Sequence, residues 1–180
     1  MLYLYKEVRE KYKENYAIQK ALNKGELFKI ESGLYSDSPV RNIFEIISKK
    51  YPQAIFTKDV AFYMHGLTDV IPQMYYVATK RNASRIKIVN VTQVFEKDLT
   101  FNIGKTQMEI MGVKINIYDK ERMLIEVIRN QNTMPFDYYK EIINSYRKIS
   151  NQLDMRKLES YIEKFKNDYF IFKTIQKEVF

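Results

Sequence analysis

The chain has 180 residues, 46% of them hydrophobic, enough for one domain of ordinary size or a small module joined to a medium one. Thirty lysines and arginines against 22 acids give a net charge of +8, with one histidine and neither cysteine nor tryptophan. Disulfides, zinc ribbons, cysteine nucleophiles and multi-histidine metal sites are thereby excluded, and no stretch approaches the roughly 18 apolar residues of a membrane span.

The start does not read as a signal peptide, because the apolar Met1 to Tyr5 gives way at once to KEVREKYKE. The expectation is a cytoplasmic protein that meets anionic partners and no membrane. Its charge is spread out. Residues 1–35 carry seven basic and five acidic side chains, residues 36–120 twelve and eight, and residues 121–180 eleven and nine. With no basic tail, binding to nucleic acid has to come from folded surfaces.

In chain order, the first segment reads as two short helices and a hairpin. Val8 and Tyr12 make one apolar stripe, and Ile18, Ala21 and Leu22 make a second at helical spacing. Lys24-Gly25 ends that helix, and ELFKIE and GLYS form strands around a Ser32-Gly33 turn. The turn-rich Ser36 to Pro39 reads as a linker, which divides the chain into residues 1–36 and 37–180. NIFEIISKKY is an amphipathic helix ending before Pro52. Thr57 reads as the N-cap of KDVAFYMHGL, with Asp59 in its first turn.

From Gln73 to Tyr118 the pattern turns β, with MYYVAT, RIKIVNV, DLTFNI, TQMEIM and VKINIY separated by Gly104 and Gly112. Asp119 caps a helix running to Arg129 whose face is Met123, Leu124, Val127 and Ile128. Pro135 opens a helix carrying Tyr139, Ile142, Ile143 and Tyr146. Asp154 caps another with Leu158, Tyr161, Ile162 and Phe165, and Phe172, Ile175 and Val179 mark the last. Helices, a block of strands and more helices indicate an α+β fold: a small N-terminal winged helix-turn-helix, then a mixed β-sheet domain with C-terminal helices.

Two helices followed by a hairpin outline a winged helix-turn-helix, in which the second helix enters the major groove and the wing touches backbone. With Ile18, Ala21 and Leu22 inward, Asn15, Gln19 and Asn23 form an outward row flanked by Lys20 and Lys24. Asn and Gln pair with adenine edges and Lys reaches phosphate or guanine, while Lys29 and Ser32 on the wing position the backbone. Lys80, Arg81, Arg85 and Lys87 form the densest basic cluster and a second basic surface.

No catalytic residue, cofactor or metal is expected. His65 stands alone between Met64 and Gly66, reading as a packed or capping residue, and no phosphate-cradling glycine motif occurs. Asp98, Glu109 and Lys114 are the nearest approach to a metal-dependent nuclease set, but lack its tight spacing on one strand.

The run Thr57-Lys-Asp-Val-Ala61-Phe-Tyr-Met-His-Gly66-Leu67-Thr resembles the helix after the DNA-binding module of AbiEi antitoxins of the abortive infection E family, and Gly112-Val-Lys-Ile leading to Glu121-Arg122-Met123-Leu124-Ile125-Glu126 resembles that family's second signature. Gly25-Glu-Leu27-Phe-Lys29 and Gly33-Leu-Tyr35 are similar to the end of its N-terminal module. The similarity runs in register over about residues 5–150. Glu126 replaces the family's usual Asp, and little chain precedes Lys6 to form a first helix. The resemblance implies a two-domain type IV antitoxin and transcriptional autorepressor. Its winged helix binds double-stranded DNA at repeats upstream of its own operon, and its C-terminal domain neutralises a cognate nucleotidyltransferase-like toxin without a necessary stable complex. The alternative is a protein-interaction module that binds the toxin or another partner directly, with a vestigial DNA-binding region.

Overall fold

A computed structural model describes residues 1–180. The fold is α+β, with nine helices and two sheets. It divides into two units, one of Met1–Ala54 with Glu109–Ile115, the other of Ile55–Met108 with Asn116–Phe180.

The first unit begins with a strand that composition alone did not reveal, β1 (Leu2–Leu4), followed by α1 (Tyr5–Tyr12), α2 (Asn15–Asn23), β2 (Phe28–Glu31) and β3 (Leu34–Ser36). β3 lies between β1 and β2, antiparallel to both, with Tyr3 opposite Tyr35 and Lys29 also opposite Tyr35. Val8, Ile18, Ala21, Leu27 and Tyr35 form the core, with Tyr3, Tyr12 and Leu22 packed around it. Burying Val8, Ile18 and Leu27 is worth about 1.5–3 kcal/mol each, which fixes both helices on the sheet.

α3 (Ile43–Lys50), capped by Asn42 through the Phe44 amide, clusters with this unit and packs beside β1. The unit therefore runs past the polar linker at Ser36–Pro39 to Ala54. Ion pairs explain the attachment: Lys49 to Glu7 at 2.6 Å and Lys50 to Glu31 at 2.9 Å. The Lys49 hydrogen bond also holds the Glu7 carboxyl below its ordinary pKa.

The second unit holds β4 (Ile55–Phe56), α4 (Lys58–Met64), β5 (Tyr75–Lys80), β6 (Val91–Glu96), α5 (Asp98–Phe101), the start of β7 (Lys105–Ile110) through Met108, the end of β8 (Val113–Tyr118) from Asn116, α6 (Lys120–Arg129), α7 (Phe136–Lys148), α8 (Met155–Ile162) and α9 (Asp168–Glu178). Its sheet has the order β6-β5-β4-β8-β7 and is mixed: β4 runs antiparallel to β5 but parallel to β8, and β5 is parallel to β6.

Two stretches read as strands are something else. RIKIVNV is mostly the connection between β5 and β6. Because those strands are parallel, the chain must travel back along the sheet between Lys80 and Val91, and its alternating pattern is spent on that return. DLTFNI is instead the single turn α5, closed by the Thr100 and Phe101 amides on the Lys97 carbonyl at 3.0 and 2.9 Å.

Thr57 occupies the N-cap position of α4, yet its hydroxyl contacts Met123 Sδ at 3.7 Å and caps nothing. The buried face of α9 is Ile171 and Ile175, continued by Val179, with Phe172 only half-buried. No helix is long and apolar enough to cross a membrane.

Candidate nucleic-acid interface

α2 offers the clearest exposed polar face. Ile18 and Ala21 are buried, which turns Asn15, Gln19, Lys20, Asn23 and Lys24 outward, all exposed. At 1.5 Å per residue its nine residues span about 13.5 Å, comparable to the width of a DNA major groove. Gln19, Lys20 and Asn23 have neither an ion pair nor a hydrogen bond from their side chains, so their donors and acceptors are unspent. Lys24 lies 3.7 Å from Glu26, an exposed pair that water screens.

Asn15 differs from its neighbours. Its Oδ1 accepts from Arg9 Nη1 at 2.7 Å and from the Tyr5 hydroxyl at 3.3 Å. Bidentate pairing with adenine needs both the oxygen and the amide NH2 of an Asn, and here the oxygen is occupied. Asn15 thus ties α2 to α1, and of the outward amides Gln19 and Asn23 alone keep their side-chain groups unspent.

Tyr16, absent from the row read from sequence, is 75% exposed and one turn before Gln19 and Lys20. An aromatic residue outside the apolar stripe of Ile18, Ala21 and Leu22 was the signal. Its ring and hydroxyl add a stacking surface and a phosphate donor to the same face.

On the hairpin, Lys29 and Ser32 are exposed. The wing is tied down, because Lys50 Nζ donates to the Ser32 carbonyl at 2.9 Å and the Tyr5 amide to the Gly33 carbonyl at 2.9 Å. Around α3, Arg41, Lys49 and Lys50 are all matched with carboxylates. Lys20 and Lys29 are not, so the unit's unneutralised positive charge includes α2 and the wing.

The second basic cluster lies in the other unit, on the β5–β6 connection. Arg81, Arg85 and Lys87 are exposed, with Lys80 at the end of β5, 3.9 Å from Asp98. The Arg85 guanidinium sits 4.6 Å over the Phe95 ring. Gln93 staples the connection to the sheet: its Oε1 accepts from the Ile86 amide at 3.0 Å, and its Nε2 donates to Thr79 Oγ1 at 2.7 Å and to the Ser84 carbonyl at 3.1 Å. Arg81 and Lys87 thus stand on a fastened loop.

Residues weighed for chemistry are dispersed or employed structurally. Asp98 sits on α5, while Glu109 on β7 and Lys114 on β8 point to solvent. No three His, Asp or Glu side chains gather in a metal-binding group. His65 Nε2 lies 2.6 Å from the Tyr118 carbonyl oxygen, and burial lowers its pKa from the ordinary value. Asp119 caps α6 through the Arg122 amide at 2.8 Å. Lys157 bridges Asp119 and Glu121 at 3.0 and 3.1 Å, and these carboxylates raise its pKa despite the opposing effect of burial. Tyr161 donates to Asp119 at 3.1 Å, and burial pushes its hydroxyl up to about 12.

No protein-family model matches this chain, and no curated protein matches it either.

Proposed function

We propose that the chain is a sequence-specific DNA-binding protein whose first unit reads the major groove with α2, and that it serves as the antitoxin and transcriptional autorepressor of a type IV toxin–antitoxin pair. The observation carrying the DNA-binding half is the unspent polar face of Tyr16, Gln19, Lys20 and Asn23 on a helix fixed by its apolar face to a β1–α1–α2–β2–β3 core. That order, with β3 between β1 and β2, is what a winged helix requires after its first helix: a strand, two helices, then the wing hairpin. Lys20 and Lys29 supply phosphate contacts, Gln19 and Asn23 base contacts, and Ser32 a backbone contact from the wing. Arg81, Arg85 and Lys87 give the second unit a basic surface of its own. The antitoxin half rests on the resemblance of Thr57–Thr68 and Gly112–Glu126 to the AbiEi signatures. In the present structure α6 is a framework helix, so neutralisation of the toxin is assigned to exposed surfaces of the second unit.

Gel-shift titration with the DNA upstream of the gene tests the repressor. Specific retardation at low salt, lost in the Gln19→Ala/Lys20→Ala double variant and weakening steeply with salt, is the expected result. Equal affinity for upstream and scrambled DNA would refute it. Growth rescue of cells expressing the neighbouring nucleotidyltransferase-like gene tests the antitoxin half.

A direct protein-interaction role draws support from α9, where Tyr169 and Phe170 are 72% and 52% exposed. Co-purification of an untagged toxin, lost on Tyr169→Ser/Phe170→Ser, would favour that reading.

A further inference from the structure

The second unit contains a cavity that the DNA-binding reading does not use. It lies between the start of α4, β5 and the connection from α6 to α7, with a volume of about 290 Å³, at the lower end of small-molecule sites. Its apolar wall includes Phe62, Tyr76 and Tyr138, with the Phe62 and Tyr138 rings edge to face at 6.5 Å. Its polar wall includes Lys58, Asp59 and Asn130.

The polar groups there are incompletely employed. Lys58 forms no salt bridge, although its charge favours the ionised Asp59 beside it, and its Nζ rests 5.0 Å from the centre of the Tyr76 ring. Asp59 accepts one long hydrogen bond, from the Tyr138 hydroxyl at 3.3 Å, and burial raises its pKa. Asn130 directs its Nδ2 to the Glu126 carbonyl and to Glu126 Oε2, at 2.7 and 3.2 Å, which leaves its own side-chain oxygen unspent. Glu126, also on this wall, is by contrast ion-paired with Arg122 and Arg129 and accepts from Asn130.

The backbone marks the same place. Lys58 has a φ of +52°, a left-handed conformation that a lysine adopts at a cost and that Lys13, Asn90, Met111 and Asn167 share elsewhere in the chain. Here the strained residue carries the charged side chain that lines the cavity.

We propose that the cavity binds a small zwitterion with an apolar body, an α-amino acid. Lys58 takes its carboxylate, Asp59 and the Asn130 oxygen take its ammonium, and Phe62, Tyr76 and Tyr138 enclose its side chain. A cation without a salt bridge and an under-partnered carboxylate on consecutive residues match one ligand carrying both charges. An amine or an acid alone would leave one of them unanswered. The site is independent of the DNA-binding reading.

NMR titration of the full chain with L-phenylalanine, phenethylamine and phenylpropionate tests this, since the last two each lack one of the charges. The expected result is saturable shifts at Phe62, Tyr76 and Asn130 with L-phenylalanine, and at least about tenfold weaker binding of each truncated compound. Lys58→Asn should bind L-phenylalanine no better than wild type binds phenethylamine. Because Asn accepts a positive φ more readily, that variant should melt at or above the wild-type temperature. Asp59→Asn should remove the preference over phenylpropionate. The proposal fails if L-phenylalanine, L-leucine and L-methionine give no saturable shifts there up to about 10 mM, a concentration above the millimolar binding range. It also fails if either truncated compound binds as tightly as L-phenylalanine, or if folded Lys58→Asn retains full affinity.

Discussion

α2 of the first unit and α6 of the second are short amphipathic helices of similar length, nine and ten residues, and they use their polar side chains in opposite ways. On α2 the side chains of Gln19, Lys20 and Asn23 have no partners in the fold. On α6 every residue from Glu121 to Ile128 is buried, charged ones included. Arg122 is 0% exposed, with its guanidinium 4.8 Å from Tyr118 and 4.4 Å from Phe165 ring centres and its Nη2 2.9 Å from Glu126. Glu126 in turn meets Arg129 at 2.7 Å, and Glu96 lies 3.6 Å from Arg122. Charge on α6 is spent inside the second unit. Polar groups on α2 remain available to a partner. Similar residue types therefore indicate recognition only where the fold has left them unemployed.

The sharpest way to break this contrast is to remove Arg122. Arg122→Leu leaves Glu96 without its cation and Glu126 with Arg129 alone, and losing one member of a buried charge cluster costs about 3–5 kcal/mol. Urea denaturation should show that loss, and a loss under 1 kcal/mol would mean that water reaches the cluster. Gly104→Ala attacks the same place from another strand end. Gly104 has a φ of +73°, and an added methyl would meet Arg122 Cβ at 2.3 Å. Strain plus overpacking should cost on the order of 2–4 kcal/mol, read in the same assay.

The equivalent change on α2 should leave stability within about 0.5 kcal/mol of wild type, because nothing in the fold leans on Gln19. Under the proposed function its effect belongs to DNA. Gln19→Ala should lose about 1–3 kcal/mol of discrimination at one base position, measured by competition between operator variants. Lys20→Ala should weaken all sequences alike and reduce the slope of log affinity against log salt by about 1. Destabilisation without any change in DNA selectivity would assign α2 to the framework, as α6 is.

The apolar faces explain why much of the architecture was legible. Val8, Ile18, Ala21, Ile142, Ile143, Tyr146 and Leu158 fall at helical spacing, and all are buried. Asp119 and Asp154 cap the helices their positions announced, through the Arg122 and Lys157 amides. β1 was hidden because three residues are too few for a period. Its strand character comes from pairing with β3, more than thirty residues away. The alternating Arg85–Val91 was misleading because a parallel return path and an exposed strand show the same pattern. On the interface, outward direction was readable from the inward stripe, but the capture of Asn15 by Arg9 and Tyr5 depends on how α1 crosses α2. The strained Lys58 had no sequence signal at all.

The smallest difference between the two regions should appear with pH. His65 ends α4, and its Nε2 meets the carbonyl of Tyr118, the last residue of β8. A carbonyl only accepts, so this geometry assigns the proton to Nε2, and the neutral ring satisfies the contact. Burial is the main cause that lowers its pKa from the ordinary 6.5. The unfolded chain therefore takes up a proton at a higher pH than the folded chain does. Stability rises with pH through that interval, and it is lost as pH falls below about 6.5, by at most about 1.4 kcal/mol per unit for a single proton. His65→Gln keeps an N–H donor without the titration, so it should flatten the decline between about pH 6.5 and 5 in urea melts. The α2 face contains neither histidine nor carboxylate among Tyr16, Gln19, Lys20 and Asn23, so DNA affinity should hold steady over the upper part of the interval, where the fold stays intact. If affinity and stability fell together in wild type but not in His65→Gln, the second unit would be coupled to DNA binding and the two helices would not act separately.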